Sequence, residues 1–139
     1  MRNYVLAFMV NATKNQILLI KKKRPAFQAG KMNGIGGKIE GDETPVEAII
    51  REVEEETGLK TTEYEWANFG EMRLPDGGKV HLFKTFRDDL ENALSMTDEE
   101  VVVMDIDYNV LKPLVMPNLI WLIDVAMDNT LCSLSVELY

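Results

Sequence analysis

Residues 37–59, GKIEGDETPVEAIIREVEEETGL, contain the strongest structural signal in the sequence. It contains a strong helix start: Thr44 can cap the first turn, Pro45 suits the first helical position, and Glu47 can bond back to the cap. Gly58 is typical of the residue that ends a helix. The sequence therefore predicts a helix over residues 45–57.

This predicted helix has one apolar face and one acidic face. The apolar residues at helical spacing, which should face a core, are Val46, Ile49, Ile50 and Val53. The acidic stripe consists of Glu52, Glu55 and Glu56. Like charges at this spacing repel, and each such pair costs an isolated helix about 0.2–0.5 kcal/mol. Two interpretations stay open: a solvated acidic face, or a set of carboxylates that a hard divalent cation neutralises.

Over residues 1–139, hydrophobic patterning predicts a single mixed α/β domain with two helices and a sheet built largely from hairpins. The predicted strands are 4–12, 17–22, 64–74, 79–85, 101–106 and 131–138. Polar turns at residues 13–15 and 75–78 join the first and second hairpins. A glycine-spaced loop is predicted over 30–41, and a second helix over 117–127.

Composition narrows the class of protein. Of the 139 residues, 46% are hydrophobic and 27% are charged, a composition typical of globular proteins. The sequence has no apolar run long enough to span a membrane. It shows no convincing signal peptide, so we expect a cytoplasmic protein. Cys132 is the single cysteine, which excludes an internal disulfide. The formal charge of −8 argues against nucleic acid polymers or anionic membranes as partners.

Gly37, Glu43 and the run 51–59 carry a family resemblance. They match the Nudix box, G-x5-E-x7-R-E-U-x-E-E-x-G-U with U apolar, at all nine defined positions. The resemblance implies a Nudix-type α/β/α sandwich with a mixed β-sheet and a loop-helix-loop catalytic motif. It also implies Mg²⁺- or Mn²⁺-dependent hydrolysis of a nucleoside diphosphate linked to another moiety.

The same resemblance assigns roles inside the box. The residues that would hold metal are Glu52, Glu55 and Glu56, with the carbonyl of Gly37 as a further ligand. Arg51 would orient a box glutamate. The proton of the attacking water would go to Glu56 or to a glutamate from a distant loop.

That distant acid is expected just before the strand at 101–106, where the candidates are Asp98, Glu99 and Glu100. We favour Glu99, then Glu100, as a further catalytic or metal-binding residue. An exposed acidic turn is the alternative for each of them.

Residues 23–38 resemble the MutT-type nucleoside triphosphate pyrophosphohydrolases, including the animal enzymes that act on oxidised purine triphosphates. Carried over by position, Lys23 would meet phosphate, Phe27 would line the base pocket and Asn33 would bind the base. The simpler interpretations are a solvated charge for Lys23, core packing for Phe27 and a turn residue for Asn33. Met72 and Leu74 are candidates for a pocket wall, or for ordinary core.

Before the last helix the chain departs from that subfamily. It has Met116, Pro117 and Asn118 where the resembling enzymes carry a tryptophan, a proline and paired aspartates. Met116 and Asn118 would then face the base, with a non-titrating amide in place of an acid. Selectivity for oxidised purines stays open.

Three functions follow as hypotheses. The first is metal-dependent hydrolysis of a (deoxy)nucleoside triphosphate to monophosphate and pyrophosphate, with modified nucleotides among the candidate substrates. The second is a Nudix hydrolase of another substrate, such as ADP-ribose or a dinucleotide polyphosphate. The third is a non-catalytic nucleotide-binding module, which would have no need for the full repulsive set of glutamates. A monomer and a homodimer fit the sequence equally.

Overall fold

The computed structural model describes residues 2–130 and 133–139, and in them it contains a mixed β-sheet flanked by helices. The strands are β1 (Tyr4–Val10), β2 (Gln16–Lys21), β3 (Met32–Asn33), β4 (Ile35–Lys38), β5 (Ala67–Arg73), β6 (Lys79–Phe86), β7 (Glu100–Asp105) and β8 (Leu134–Glu137). The α-helices are α1 (Pro45–Thr57), α2 (Tyr108–Leu111) and α3 (Leu119–Met127).

The main path of the sheet runs β3-β2-β1-β6-β5-β8, with β4 pairing to β1 and β7 pairing to β2. Both predicted hairpins are present, because β1 pairs antiparallel with β2 and β5 pairs antiparallel with β6. The central pair β1 and β6 is parallel, as is the pair β5 and β8. The expectation of a mixed sheet is therefore confirmed.

Strand β1 shows why the sheet lies between two helical layers. Its odd and even positions feed different cores, as expected when side chains alternate across a strand. Leu6, Phe8 and Val10 pack in the core that includes α3. Val5, Ala7 and Met9 pack in the core that includes α1. This two-sided burial produces the predicted α/β/α sandwich.

Helix α1 has the predicted bounds, and its ends follow from the sequence. The Thr44 side chain accepts from the Glu47 backbone N–H while the Glu47 side chain accepts from the Thr44 N–H, which forms a capping box. Gly58 ends the helix with a left-handed φ of 76°. The buried apolar positions of the helix are Ala48, Ile49 and Val53.

The predicted glycine-rich loop is partly wrong, because most of residues 32–38 belong to β3 and β4. A Cβ on Gly36 would lie 2.2 Å from the backbone oxygen of Val5. The glycine there permits close strand pairing, which the spacing of glycines alone did not distinguish from a loop.

Other differences are smaller. Helix α2 was not predicted, β5 begins at Ala67 after a short 3-10 turn at Glu63–Glu65, and α3 begins at Leu119. The predicted last strand is present from Leu134, whereas the prediction made for Cys132 lies outside the described residues. None of the helices in the described residues combines the length and apolar character needed to span a bilayer.

Candidate active site

The acidic face of α1 rests on strand β4. A Cβ on Gly37 would lie 2.3 Å from Glu52 Oε1, so only glycine leaves room for that carboxylate. The Glu52 side chain is 12% exposed, and burial is the main cause that raises its pKa. Strand β4 and helix α1 are thus in direct contact.

Arg51 relieves part of the repulsion on this face. Its Nε and Nη2 atoms donate to the two carboxylate oxygens of Glu43, at 2.7 and 3.0 Å. Its Nη1 atom lies 2.9 Å from Glu52 Oε1 and 3.2 Å from Glu55 Oε2. Nη2 also donates to the carbonyl of Lys38, on β4. One guanidinium therefore fixes three glutamates and ties the helix to the strand.

Glu56 lies outside the reach of Arg51 and is only 9% exposed. Its Oε2 atom is buried and has no hydrogen-bond partner in the described residues. Burial first, and the nearby charge of Glu52 second, raise the pKa of Glu56 to about 8. A buried, unpartnered carboxylate oxygen of this kind is costly unless a proton or a cation satisfies it.

Glu99, the acid favoured outside the box, is 4% exposed and fully engaged by residues that follow β2. It accepts from Lys22 Nζ at 3.0 Å and from the backbone N–H groups of Lys23 and Arg24 at 2.6 and 3.3 Å. Burial acts to raise its pKa, but these donors outweigh burial and lower it. Glu99 lies close enough to Glu56 for its negative charge to help raise the pKa of Glu56.

The two neighbours of Glu99 face elsewhere. Asp98 forms an exposed ion pair with Arg24, with Nη2 and Oδ2 2.6 Å apart. Glu100 is exposed at the start of β7, where its backbone lies opposite Lys21 in the antiparallel register of β2 and β7. Glu99 is thus the member of the acidic turn that the fold directs inward.

The acids approach one another without converging on one point. Within the described residues, no group of three His, Cys, Asp or Glu side chains is close enough to hold a single metal ion. Arg51 holds Glu52 and Glu55, and Lys22 holds Glu99. The donor set nevertheless fits a hard divalent cation, because the unpartnered oxygen of Glu56 is an oxygen ligand in a negatively charged environment.

A cavity of about 460 Å³ is lined in part by residues of β4. Its lining includes Lys22, Phe27, Gln28, Asn33, Gly36, Gly37, Met72 and Leu74. This volume is within the range of small-molecule sites in proteins. Gly37 is the shared wall, since it lines the cavity and contacts Glu52.

The cavity contains two of the predicted substrate residues, Phe27 and Asn33. Phe27 is 73% exposed, so the alternative of core packing is wrong for this residue. Asn33 Oδ1 accepts from the backbone N–H of Gly34 at 2.8 Å, and its Nδ2 donates to Gln28 Oε1 at 3.1 Å. Asn33 thus shapes the turn into β4 and also lines the cavity.

The structure does not bring the other three predicted substrate residues into this cavity. Lys23 lines a neighbouring cleft together with Asp98 and Glu100. The backbone N–H of Met116 donates to the carbonyl of Met32 on β3, and the side chain of Asn118 is exposed at the start of α3. Their assignment to the base stays a prediction.

Sequence reasoning missed Lys22 and Gln28 as cavity residues. Counting by two from buried Ile20 places Lys22 on the α1 side of the sheet, where its ammonium reaches Glu99, but this periodicity does not predict that Lys22 also lines the cavity. Gln28 is the last residue of a three-residue 3-10 helix (Ala26–Gln28), which is too short to give a periodic signal.

Comparisons with known proteins point to one family. The family model described as NUDIX domain matches residues 1–117. The chain is 36% identical over 101 residues to an oxidized purine nucleoside triphosphate hydrolase of Danio rerio, which covers 68% of this chain and 61% of that protein. It is 31% identical over 88 residues to a CTP pyrophosphohydrolase of Escherichia coli strain K12, which covers 63% of this chain and 64% of that protein.

A solved structure supports the fold. A structure from an analysis of MutT from Aliivibrio salmonicida and Vibrio cholerae superposes with a TM-score of 0.71 at 21% identity, over 88% of this chain and 95% of that chain. In both curated relatives above, the match spans less than two thirds of the relative's own length. The family model covers most of this chain, from its first residue through β7 and α2, and we therefore identify the chain as a member of the NUDIX domain family.

Proposed function

We propose that this chain is a metal-dependent pyrophosphohydrolase that converts a (deoxy)nucleoside triphosphate to the monophosphate and pyrophosphate. The observation that carries the proposal is Glu56, a buried carboxylate with an unpartnered oxygen in a complete Nudix box. The names of the two curated relatives, both nucleoside triphosphate hydrolases by description, support the reaction class. The substrate's base differs between those relatives.

In the proposed complex the nucleotide lies across β4. The base occupies the part of the cavity near Phe27, Gln28 and Asn33, and the phosphates extend over Gly36 and Gly37 toward the acids of α1. Lys22, which lines the cavity, offers an ammonium to the phosphates.

The proposed metal ligands are Glu52 and Glu56, with Glu55, Glu99, Glu100 and the Gly37 carbonyl as the further oxygens that the resemblance supplies. When bound, Mg²⁺ or Mn²⁺ would neutralise phosphate charge and lower the pKa of the attacking water. Arg51 keeps Glu52 in one orientation throughout. Glu55 and Glu99 are engaged by Arg51 and Lys22, so each would have to share or leave its partner to serve as a ligand.

We assign the acceptance of the water's proton to the carboxylate of Glu56 rather than to Glu99. In the metal-free protein the raised pKa keeps Glu56 protonated at neutral pH, so a cation would have to displace that proton before the carboxylate could accept one from water. Glu99 is held in its ionised form by Lys22 and two backbone N–H groups, which makes its carboxylate a poor proton acceptor.

The test is turnover of a panel of nucleotides with Mg²⁺, scored by monophosphate and pyrophosphate, with excess EDTA as the metal-free arm. Glu56→Gln should lower turnover at least about 10²-fold, as expected for loss of an acid-base or metal-binding group. Glu54→Gln is the matched control, because Glu54 is exposed on the same helix and occupies an undefined position of the box. Full activity in EDTA, or equal losses in both variants, would defeat the proposal.

The product identifies the substrate class. Release of inorganic pyrophosphate from a triphosphate supports the proposed reaction, whereas cleavage confined to ADP-ribose or a dinucleotide polyphosphate would move the chain to a different Nudix substrate. Binding of nucleotides without any hydrolysis would identify a non-catalytic module.

A further inference from the structure

The amide of Gln28 is oriented by a short chain of hydrogen bonds. A backbone N–H can only donate, so the bond from Gly34 N identifies the atom facing it as the oxygen of Asn33. The Nδ2 group of Asn33 must then point the other way, toward Gln28, and the Gln28 atom 3.1 Å away must be its oxygen. The backbone thus fixes which way both amides face.

Both amides line the cavity, and their free hydrogen-bonding capacity is unequal. Each oxygen already accepts one bond, from Gly34 N or from Asn33 Nδ2. In the described residues the Nε2 of Gln28 donates no hydrogen bond, and one N–H of Asn33 Nδ2 is unused. Three N–H donors are therefore available to a ligand at this end of the cavity.

The remaining lining tells which part of a ligand meets these donors. Met72, Leu74 and the exposed ring of Phe27 provide an apolar surround that suits the face of a planar ring. Burying unpaired N–H groups against such a ring is costly unless the edge of the ring presents acceptors. The edge of a 6-oxopurine that carries O6 and N7 presents two acceptors. The same edge of adenine presents one donor, the 6-amino group, and one acceptor, N7.

We infer that Gln28 is a specificity-determining residue that, together with Asn33, selects a base whose edge carries a carbonyl at the purine 6-position over one that carries an amino group. This inference rests on the proposed function for its kinetic test only. Gln28 acts by direct contact with the base, through Nε2, and it also holds Asn33 in the orientation that directs the free N–H into the cavity.

The test compares dITP with dATP, which share sugar and phosphates and differ at that edge. Wild-type protein should favour dITP by about tenfold or more in kcat/KM, in line with two hydrogen bonds read at a base edge. Gln28→Glu keeps an oxygen for Asn33 but replaces the free donors with an acceptor, and it should reduce the dITP to dATP ratio at least about tenfold. Gln28→Met, which lacks both groups, should reduce the ratio as well.

Gln16→Glu is the matched control, because Gln16 is exposed at the start of β2, away from the cavity. It should leave the ratio unchanged. A purely structural role for Gln28 would lower kcat/KM for both nucleotides alike, so the ratio separates the two roles. An unchanged ratio in both Gln28 variants, or a wild-type preference for dATP, would overturn the inference.

A binding measurement separates this inference from the proposed function. Calorimetric titration with dIMP and dAMP in EDTA reads the base contacts without turnover. Tighter binding of dIMP that is lost in Gln28→Glu supports the inference even if no nucleotide is hydrolysed, in which case the proposed function alone fails. Equal binding of the two monophosphates by wild-type protein overturns the inference even if both triphosphates are hydrolysed.

Discussion

The buried carboxyl of Glu56 should make the stability of the metal-free protein fall as pH rises. The folded protein holds a proton on Glu56 up to a pKa of about 8, against an ordinary value of 4.5. Between these values the folded state binds more protons than the unfolded state, so the free energy of unfolding decreases with increasing pH. The stability that the raised pKa provides is complete below about pH 4.5 and is lost as pH rises to about 8.

The size of this effect follows from the two pKa values. One pKa unit corresponds to about 1.4 kcal/mol, so from pH 5 to pH 7.5 Glu56 alone should lower the free energy of unfolding by about 3 kcal/mol. In Glu56→Gln this contribution is absent, because the amide does not titrate. His81, whose pKa is lowered by burial, acts in the opposite direction, but it is present in both proteins and cancels in the comparison.

The assay is urea unfolding at pH 5 and pH 7.5 in EDTA for wild type, Glu56→Gln and the exposed control Glu54→Gln. Wild type and the control should lose about 3 kcal/mol more than Glu56→Gln across this interval. Added Mg²⁺ at pH 7.5 should restore stability to wild type and do little for Glu56→Gln, because a cation that binds only the folded state adds to its stability. Equal pH dependence in all three proteins would refute the account of Glu56 as a buried, uncompensated acid.

Three further outcomes follow from the site. Gly37→Ala places a Cβ 2.3 Å from Glu52 Oε1, so it should displace that carboxylate and weaken Mg²⁺ binding about tenfold or more, measured by calorimetry; unchanged affinity would mean that Glu52 is not a ligand. Lys22→Ala should reduce kcat/KM for all nucleotides by a similar factor, and more than Lys23→Ala does, because Lys22 lines the cavity; the reverse order would support the role that the sequence predicts for Lys23. Asn118→Ala should leave the ranking of bases unchanged if the side chain stays exposed outside the cavity, as it is in this structure; a changed ranking in kcat/KM would instead support the base contact that the sequence predicts.

Local sequence signals predicted the bounds of helix α1, and physical reasons explain why other parts of the fold were harder to predict. The α1 bounds depend on a cap, a proline and a terminal glycine, all of which act within one turn of the chain. The short strand β4 depends on Val5 lying opposite Gly37, a contact between segments more than thirty residues apart. Glycine there has a tertiary cause, so its local preference for loops misled the prediction.

The site shows the same division. Helical spacing placed Glu52, Glu55 and Glu56 on one stripe and the family resemblance assigned metal to them, yet neither could say which acid is paired and which is not. That difference arises from Arg51, whose guanidinium donates to Glu43 and to a backbone carbonyl of β4. In this position it reaches Glu52 and Glu55 but not Glu56. Gln28 escaped notice for a similar reason, because its role depends on a hydrogen bond to Asn33 across an irregular turn.

The placement of Arg51 also resolves how a helix tolerates three mutually repelling glutamates. Its guanidinium lies within hydrogen-bonding distance of Glu43, Glu52 and Glu55, so the repulsion on the outer side is offset within the protein itself. The same cation does not reach Glu56, whose Oε2 stays buried without a partner. Burial and the charge of Glu52 therefore raise the pKa of Glu56, and the nearby charge of Lys22 offsets them only in part. A stabilising acid would be paired like Glu43, and the lack of a partner at Glu56 is the feature that a bound cation would correct.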